Sequence, residues 1–374
     1  MLSQLGAECI KVETALRPDI FRKPHTVYGR AGPATFDQVA SNKLSVRMNL
    51  KHPEGVALAK RLVAISDIAA ESFRAGVMNR LGLGYQDLKA VKSDIVMVSV
   101  SSSGQTGPDS HFAGYAPLFG AWGGLGHLSG YRDGPPVEMR HVMDHSVGLN
   151  AAVAAVAAMH KRRRTGEGSH VDIAAREVAS SLAGEALLAV SGGGYIERMG
   201  NEDYWRAPHN LYKTAVEDCW LSIAVETDAQ WRILAEVMGQ AAIADNSRFA
   251  TREQRYLNRH MLDEIVGSWC VMQQPEQAAA ALQAHGVPAH ISWRAGDIVA
   301  DAHMRARGAI IDVEESDRQK RSAVSVPARF SNSDEPAIER GTPELGEHEE
   351  YVYGELLGID RTERQRLIDE NIIH

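Results

Sequence analysis

The chain alternates short apolar runs with longer segments in which apolar residues recur at helical spacing. Apolar runs of about four to eight residues are typical of buried strands, and the longer period is typical of amphipathic helices. Strands are predicted at residues 9–12, 46–50, 66–73, 95–101, 170–174 and 219–226. Helices are predicted at residues 54–64, 262–272 and 275–284, and after residue 144. This alternation predicts an α/β fold.

The most informative stretch is residues 134–177. A Gly-Pro-Pro turn leads to one acidic residue, Asp144, which stands directly before a predicted helix with an alanine-rich face. The helix is predicted to end in the basic run 161–164 and at Gly166, because basic side chains complement the negative end of a helix dipole and glycine favours termination. A short strand and a second helix follow.

Asp144 has two interpretations. It can cap the helix, since an aspartate before a helix satisfies free backbone N–H groups. It can also be a carboxylate nucleophile that forms a covalent intermediate. A helix N-terminus keeps such a carboxylate ionised, so both interpretations can hold together. The residues alone leave the choice open.

Composition narrows the class of protein. At 374 residues the chain is long enough for a large core and is predicted to form two domains. With 44 % hydrophobic and 24 % charged residues, it has the composition of a soluble globular protein. Its net charge of -8 argues against a nucleic-acid partner, which favours a basic surface. No apolar run approaches the roughly 20 residues of a membrane span and no signal peptide is evident, so we expect a cytoplasmic protein without a membrane partner.

Motifs for metals and nucleotides are missing from the sequence. Cys9, Cys219 and Cys270 lie far apart and are expected to be free thiols. No GxxxxGK[ST], HExxH or paired CxxC motif occurs, so neither ATP nor structural zinc is supported, and no metal site is predicted.

The central stretch resembles the core signature of the class III CoA-transferases, the CaiB/BaiF family that includes carnitine and formyl-CoA transferases. In that family a catalytic aspartate follows a Gly-Pro-Pro turn, and an alanine-rich helix then ends in a basic run and Thr-Gly-x-Gly. Here these features are Asp144 and residues 165–168. The resemblance therefore implies that Asp144 is catalytic.

Further motifs follow in the family's order from Met1 to Gly358. LGAECIKVE is similar to LGA-x-x-IKVE, APHNLY to APHG-x-Y, and PELGEH to PLGEHT. The resemblance implies an α/β, Rossmann-like large domain formed by both chain ends (residues 1–205 and 326–374), a smaller inserted α+β domain (residues 206–325) and an intertwined homodimer. A first strand and a CoA-contacting loop normally precede the LGA element, and we expect the sheet edge and the nucleotide pocket to differ here.

The resemblance assigns coenzyme A contacts to two early segments. Lys43 begins a segment that usually reads Lys-Arg-Ser, and Leu44 stands at the arginine position, so one expected cation is missing. Ser72 and Arg74 lie in a segment similar to ENFRPG, beyond the carboxyl end of a predicted strand, where α/β sheets bind ligands. From the residues alone, a solvated loop arginine is the simpler explanation of Arg74.

A third segment follows the strand at residues 95–101. Gly104, Gln105 and Gly107 belong to a turn similar to the family's GFGQ-x-GP. Such a turn exposes backbone N–H groups that can hold an anion, although it can also be only a tight turn. The resemblance implies that this loop contacts acyl-CoA.

The reaction implied by the resemblance moves CoA from an acyl-CoA donor to a free carboxylic acid. It proceeds through an aspartyl-CoA thioester on Asp144, with no tightly bound cofactor. The residues do not separate short dicarboxylates, aromatic acids and carnitine-like acids as substrates.

Two alternatives stay open. The alpha-methylacyl-CoA racemases share the fold, and His111 stands four residues before Tyr115, as their acid/base histidine does, although SHFAGY here differs from their GHDINY. A racemase would use Asp144 and His111 as opposed proton-transfer groups. The departures at the N-terminus and at Leu44 also suggest a non-catalytic CoA-binding subunit, one that pairs with a related subunit.

Overall fold

The computed structural model describes residues 1–22, 34–139, 142–315, 320–332 and 338–374. The strands are β1 (Cys9–Glu13), β2 (Lys43–Arg47), β3 (Ile68–Glu71), β4 (Val96–Ser101), β5 (Ser169–Ala174), β6 (His209–Lys213), β7 (Trp220–Ala224), β8 (Ala289–Ile291), β9 (Ile310–Glu314) and β10 (Lys320–Val324). The α-helices are α1 (Ala34–Ala40), α2 (Pro53–Ile65), α3 (Val77–Arg80), α4 (Tyr85–Val91), α5 (Ala116–Trp122), α6 (Leu125–Leu128), α7 (Val142–Thr165), α8 (Ala175–Leu182), α9 (Gly184–Ser191), α10 (Asp228–Val237), α11 (Arg252–Leu257), α12 (Arg259–Cys270), α13 (Pro275–Ala284), α14 (Ala295–Ala300), α15 (Ala302–Ala306) and α16 (Arg361–Asp369). A π-helical segment, Glu350–Leu356, precedes α16.

Strand pairing divides the described strands into four sheets. β1 pairs with β2 in parallel, and β4 lies between β3 and β5 in a second parallel sheet. β7 lies between β6 and β8 in an antiparallel sheet, and β9 pairs with β10 in another. Helices connect the parallel strands, so the fold is mixed α/β, as the apolar pattern predicts.

Several predicted elements are confirmed and two are corrected. α13 has the predicted bounds, β4 begins one residue later than predicted, and α2 is one residue longer at each end. β2 was predicted at residues 46–50 but begins at Lys43, because its residues pair one by one with β1. The predicted buried strand at residues 66–73 is only β3, and none of its residues is fully buried, because β3 is an edge strand.

The chain divides into two compact units. Unit 1 contains residues 1–124, 139–182 and 298–374, and unit 2 contains residues 125–138 and 183–297. Relative to the predicted domain limits at 205/206 and 325/326, unit 2 takes in residues 183–205 and unit 1 takes in residues 298–325. The predicted domain limits therefore remain a prediction, because the division into compact units is not a test of them.

Unit 1 has a core to which both ends of the chain contribute. Leu44 and Val46 of β2 and Leu62 of α2 are buried together with two aliphatic residues near the C-terminus, Ile372 and Ile373. The C-terminal segment is therefore part of the packing of the N-terminal strands.

Unit 2 has a separate core on its antiparallel sheet. Trp231 and Leu234 of α10, Leu262 of α12 and Leu282 of α13 are almost completely inaccessible to solvent and pack with Ile223 of β7. Since these side chains come from three helices and one strand, this core holds the unit's elements together.

By length and composition alone, α7 is apolar enough to cross a membrane, contrary to our expectation from the sequence. This is weak support for a membrane span, because the core helix of a soluble protein meets the same criteria. In this structure α7 packs on β4 and β5, where Ala155 and Ala158 meet Val96 and Val98.

We expect Leu234→Ala to lower the free energy of unfolding of unit 2 by about 2–5 kcal/mol, because it leaves a cavity in the core. Leu257→Ala in α11 is the matched control, since Leu257 is 70 % exposed and should change stability little. Calorimetric unfolding of both variants measures the difference. Equal destabilisation would contradict the assignment of this core.

Candidate active site

The parallel sheet brings distant segments of unit 1 to one edge. Since β3, β4 and β5 run in the same direction, the loops that follow β3 and β4 leave at the same edge. We call residues 72–76 the β3 loop and residues 102–112 the β4 loop. In open α/β sheets ligands bind beyond the carboxyl ends of strands, so this edge is the candidate site.

The first turn of α7 lies on the same side. α7 leads into β5 and packs on both β4 and β5, so it runs back along the sheet and its N-terminus faces the carboxyl ends of the strands. The 24 residues of α7 span about 36 Å at 1.5 Å per residue, while the six residues of β5 span about 20 Å. The first turn of α7 therefore projects beyond the sheet edge.

Asp144 is the third residue of α7, not the residue before it, so the predicted capping position is wrong. Its carboxylate is exposed in the first turn, where the helix dipole favours a negative charge. Among the residues that the structure describes, Asp144 has no hydrogen-bond or ion-pair partner. A carboxylate in this state is free to act on a ligand.

A cleft of about 290 Å³ lies between the β3 loop and the β4 region. Its lining residues are Phe73, Arg74, Ser102, Ala113, Gly114 and Tyr115. The Arg74 guanidinium is exposed and makes no hydrogen bond or ion pair with any described residue. The cleft thus combines aromatic surface with one unpaired cation, a combination suited to an anionic ligand that carries an aromatic ring.

The β4 loop is held by hydrogen bonds between side chains and the backbone. Gly104 has a φ of +84°, a conformation that favours glycine, and the next residue turns its N–H toward β5. There the N–H of Gln105 donates to both carboxylate oxygens of Asp172, at 3.1 and 2.9 Å. The Ser102 hydroxyl donates to the carbonyl of Phe112 at 2.7 Å. These bonds fix the loop at its start and near its end.

The side chain of Gln105 links the two loops. Its Oε1 accepts a hydrogen bond from the backbone N–H of Gly76 at 3.3 Å. Its Nε2 is buried and has no partner among the described residues. The hydroxyls of Ser101 and Ser103 are also buried without a partner there. Because buried polar groups are normally satisfied, a ligand or water can supply the partners that these three groups lack.

Lys43 does not join this cluster. It is the first residue of β2, at the amino end of its strand, whereas Arg74 and Gln105 follow the carboxyl ends of theirs. Burial and the neighbouring charge of Lys11 lower the pKa of Lys43. Leu44, where a cation was expected, is 3 % exposed in the core of unit 1 and acts there as a packing residue.

His111 and Tyr115, the pair that raised the racemase alternative, have different surroundings. Tyr115 lines the cleft and is 68 % exposed. His111 is exposed and makes an edge-to-face ring contact with Phe112, with ring centroids 4.7 Å apart. Across the described ranges no hydrogen bond or ion pair joins His111 to Asp144.

The sequence did not identify Asp172, Phe73 or Gly76 as site residues. Asp172 is an exposed residue of β5. Its place beside the β4 loop can be predicted only when the register between β5 and β4 is known. No cluster of three His, Cys, Asp or Glu side chains that could hold a metal occurs within the described residues.

Comparison with known protein families gives one match over most of the chain. Residues 1–349 match the family described as CoA-transferase family III. The succinyl-CoA–D-citramalate CoA-transferase of Chloroflexus aurantiacus is 33 % identical over 377 aligned positions, which cover 100 % of this chain and 93 % of that protein. The succinate–glutarate CoA-transferase of Agrobacterium fabrum is 32 % identical over 97 % of this chain and 92 % of its own length.

Among solved structures, a CAIB/BAIF family protein from Brucella suis is similar over 95 % of this chain and 93 % of its own. Its TM-score is 0.86, and its sequence is 31 % identical. Both the sequence and the fold are therefore shared over nearly the whole length.

Proposed function

The chain belongs to CoA-transferase family III, and we propose that it transfers CoA between two dicarboxylic acids with Asp144 as the covalent carrier. The observation that carries the proposal is the carboxylate of Asp144, which is exposed in the first turn of α7 and has no partner among the described residues. The sequence motif matches this residue to the family's catalytic aspartate. The relatives named for succinyl-CoA, citramalate and glutarate support dicarboxylic acids as the substrate class.

The proposed reaction has four steps that conserve the thioester energy. The Asp144 carboxylate attacks the thioester carbonyl of the donor, and the C–S bond breaks to give a mixed anhydride and CoA thiolate. The thiolate attacks the aspartyl carbonyl, which forms the aspartyl-CoA thioester and releases the first acid as a carboxylate. The acceptor carboxylate then attacks this thioester and expels the thiolate, and the thiolate attacks the acyl carbonyl of the new anhydride. Asp144 is regenerated and no net proton is consumed.

A carboxylate suits this chemistry better than a hydroxyl. An ester on serine is too poor an acyl donor to return a thioester, whereas an anhydride returns it readily. A carboxylate also needs no general base to become a nucleophile. The negative charge that develops on the carbonyl oxygen requires hydrogen-bond donors close to Asp144.

The CoA moiety is proposed to bind along the cleft edge. Arg74 would pair with a CoA phosphate or stack on the adenine, and Ser72 lies beside it in the β3 loop. Gly104, Gln105 and Gly107 would contact acyl-CoA from the β4 loop. Lys43, which is outside this cluster, stays a prediction from the family pattern.

We further propose a Rossmann-like large domain, a smaller inserted domain and a homodimer, as in the family. The homodimer is supported by an apolar stripe on α7, formed by Leu149, Val153 and Val156, which recur at helical spacing and are 44 %, 70 % and 56 % exposed. A helix face of this kind is usually covered by another surface. A cytoplasmic location also stays a prediction.

We expect Asp144→Asn to lower transferase kcat by at least about 1,000-fold, because the covalent route is lost. The assay is exchange of CoA between succinyl-CoA and glutarate. Hydroxylamine added during turnover should attack the aspartyl-CoA thioester, displace CoA and leave a hydroxamate on Asp144, detectable by mass spectrometry. Asp133→Asn, which changes an exposed aspartate in a nearby segment of the chain, is the control.

Full exchange activity in Asp144→Asn would contradict the proposal that Asp144 is the nucleophile. Absence of exchange in the native protein, together with deuterium uptake from solvent at the α-carbon of an acyl-CoA, would instead identify the racemase alternative. CoA binding without either reaction would identify a non-catalytic subunit.

We expect Arg74→Ala to raise the KM for acyl-CoA about tenfold, the effect of one lost charge-assisted hydrogen bond. The native KM should rise with added salt more than that of the variant, since salt screens the ion pair. Arg163→Ala, which removes an exposed arginine at the other end of α7, should leave KM unchanged. A KM insensitive to Arg74→Ala would place the CoA phosphates elsewhere.

We expect Val153→Glu to convert the homodimer to monomers in analytical ultracentrifugation, because it places a charge in the centre of the apolar stripe. Val299→Glu in α14, at a position 38 % exposed, should leave the dimer intact. A native protein that sediments as a monomer would contradict the proposal.

A further inference from the structure

The β4 loop is braced from β5 and α8 at three points. Asp172 of β5 accepts the N–H of Gln105. Arg176 of α8 donates its backbone N–H to the carbonyl of Ser102 at 3.0 Å, and its guanidinium donates to Asp109 at 2.7 Å. Both residues belong to the segment directly after α7, so the element that carries the nucleophile also leads into the braces of the loop.

The register of the sheet sets which residue reaches Gln105. Asp172 is paired with Ser99 of β4, and Ser99 is paired with Glu71 of β3, so the three form one row across the sheet. Side chains in a strand alternate between faces, and a slip of one residue would move Asp172 to the other face. Glu71 accepts the N–H of Phe73 at 2.7 Å, so each edge strand supplies one carboxylate to a loop amide.

The orientation of the Gln105 side-chain amide follows from its neighbour. The Gly76 N–H can only donate, so the atom that faces it must be the oxygen of the amide. The nitrogen Nε2 must then point to the other side, where it is buried without a described partner. Gln105 therefore joins the β4 loop to the β3 loop and presents one fixed donor.

We propose that Asp172 is a positioning residue for acyl-CoA binding, acting through Gln105 on the loop that carries Arg74. By holding the Gln105 backbone, it keeps Oε1 on the N–H of Gly76 and so fixes the β3 loop that carries Arg74. The inference rests on the proposed function, since acyl-CoA is its ligand. It adds a residue that makes no contact with the cleft itself.

The geometry favours a role in binding over a role in stability. Asp172 is exposed, and within the described ranges its carboxylate makes no ion pair and accepts hydrogen bonds only from Gln105. In its absence water can satisfy the loop amide, and the core of unit 1 is untouched. What is lost is the fixed position of Gln105, and with it the arrangement of the β3 loop.

The test is a double-mutant cycle with Arg74. We expect Asp172→Ala to raise the KM for succinyl-CoA about five- to tenfold, with kcat within about twofold and the melting temperature nearly unchanged. Asp172→Asn keeps one acceptor oxygen, so its KM for succinyl-CoA should lie between those of the native protein and Asp172→Ala. In an Arg74→Ala background, Asp172→Ala should add little, because both changes act on the same contact.

Asp312→Ala is the matched control. Asp312 is an exposed strand aspartate that also accepts two hydrogen bonds, from Arg305 and Ser322, but on β9. The Asp312→Ala variant should leave the KM for succinyl-CoA unchanged. An unchanged KM in Asp172→Ala, or effects of Asp172→Ala and Arg74→Ala that multiply in the double variant, would overturn the inference.

Calorimetric titration with free CoA separates this inference from the proposed function. If the native protein binds CoA but transfers none, the transferase proposal fails while the cycle can still be run on CoA affinity. In that case a loss of affinity in Asp172→Ala that is absent in the Arg74→Ala background supports the inference. Equal loss in both backgrounds overturns it.

Discussion

The parallel pairing of β4 with β3 and β5 is the constraint on which the site depends. β4 is the central strand, with Val96, Met97 and Val98 buried, and its neighbours are fixed to it residue by residue. Because all three strands point the same way, loops separated by many residues in sequence leave at one edge. Without this register, Asp172 and Gln105 would not meet.

The same constraint explains the position of α7. A helix between two parallel neighbouring strands must run antiparallel to them, so its N-terminus returns to the edge where the loops leave. The basic turn at the C-terminal end of α7 is also fixed, because Arg162 forms ion pairs with Asp94 and Asp67. The hydrogen bond from Arg162 keeps the pKa of Asp94 below its usual range. The orientation of α7 is thus fixed at the end remote from Asp144.

Much of the fold follows from local sequence patterns, and much of the site does not. The helix α13, from Pro275 to Ala284, is predicted by its first-turn proline and apolar spacing, and both signals lie inside the element. Asp144 was identified through a local motif and a family resemblance, but its place inside α7 depends on where the helix begins, and helix ends are the least predictable feature.

Asp172 illustrates what a single sequence does not contain. Its partner Gln105 is 67 residues away, and the two meet only because β5 pairs with β4 in one particular register. Lys43 is the converse case: the family motif predicts a ligand contact, which stays a prediction, while the strand places the residue at the amino end of β2. Local patterns predict elements, whereas contacts between elements require the register of the sheet.

Bracing of the loops also has an energetic consequence for ligand binding. When a loop becomes ordered only on ligand binding, the loss of its conformational entropy weakens binding. The cost is about 1–2 kcal/mol for each backbone residue fixed. The hydrogen bonds of Asp172, Arg176 and Gln105 order the β3 and β4 loops before binding. The Arg74 guanidinium and the Nε2 of Gln105, which have no partner among the described residues, are then held in place, and their interaction energy goes into affinity instead of loop ordering.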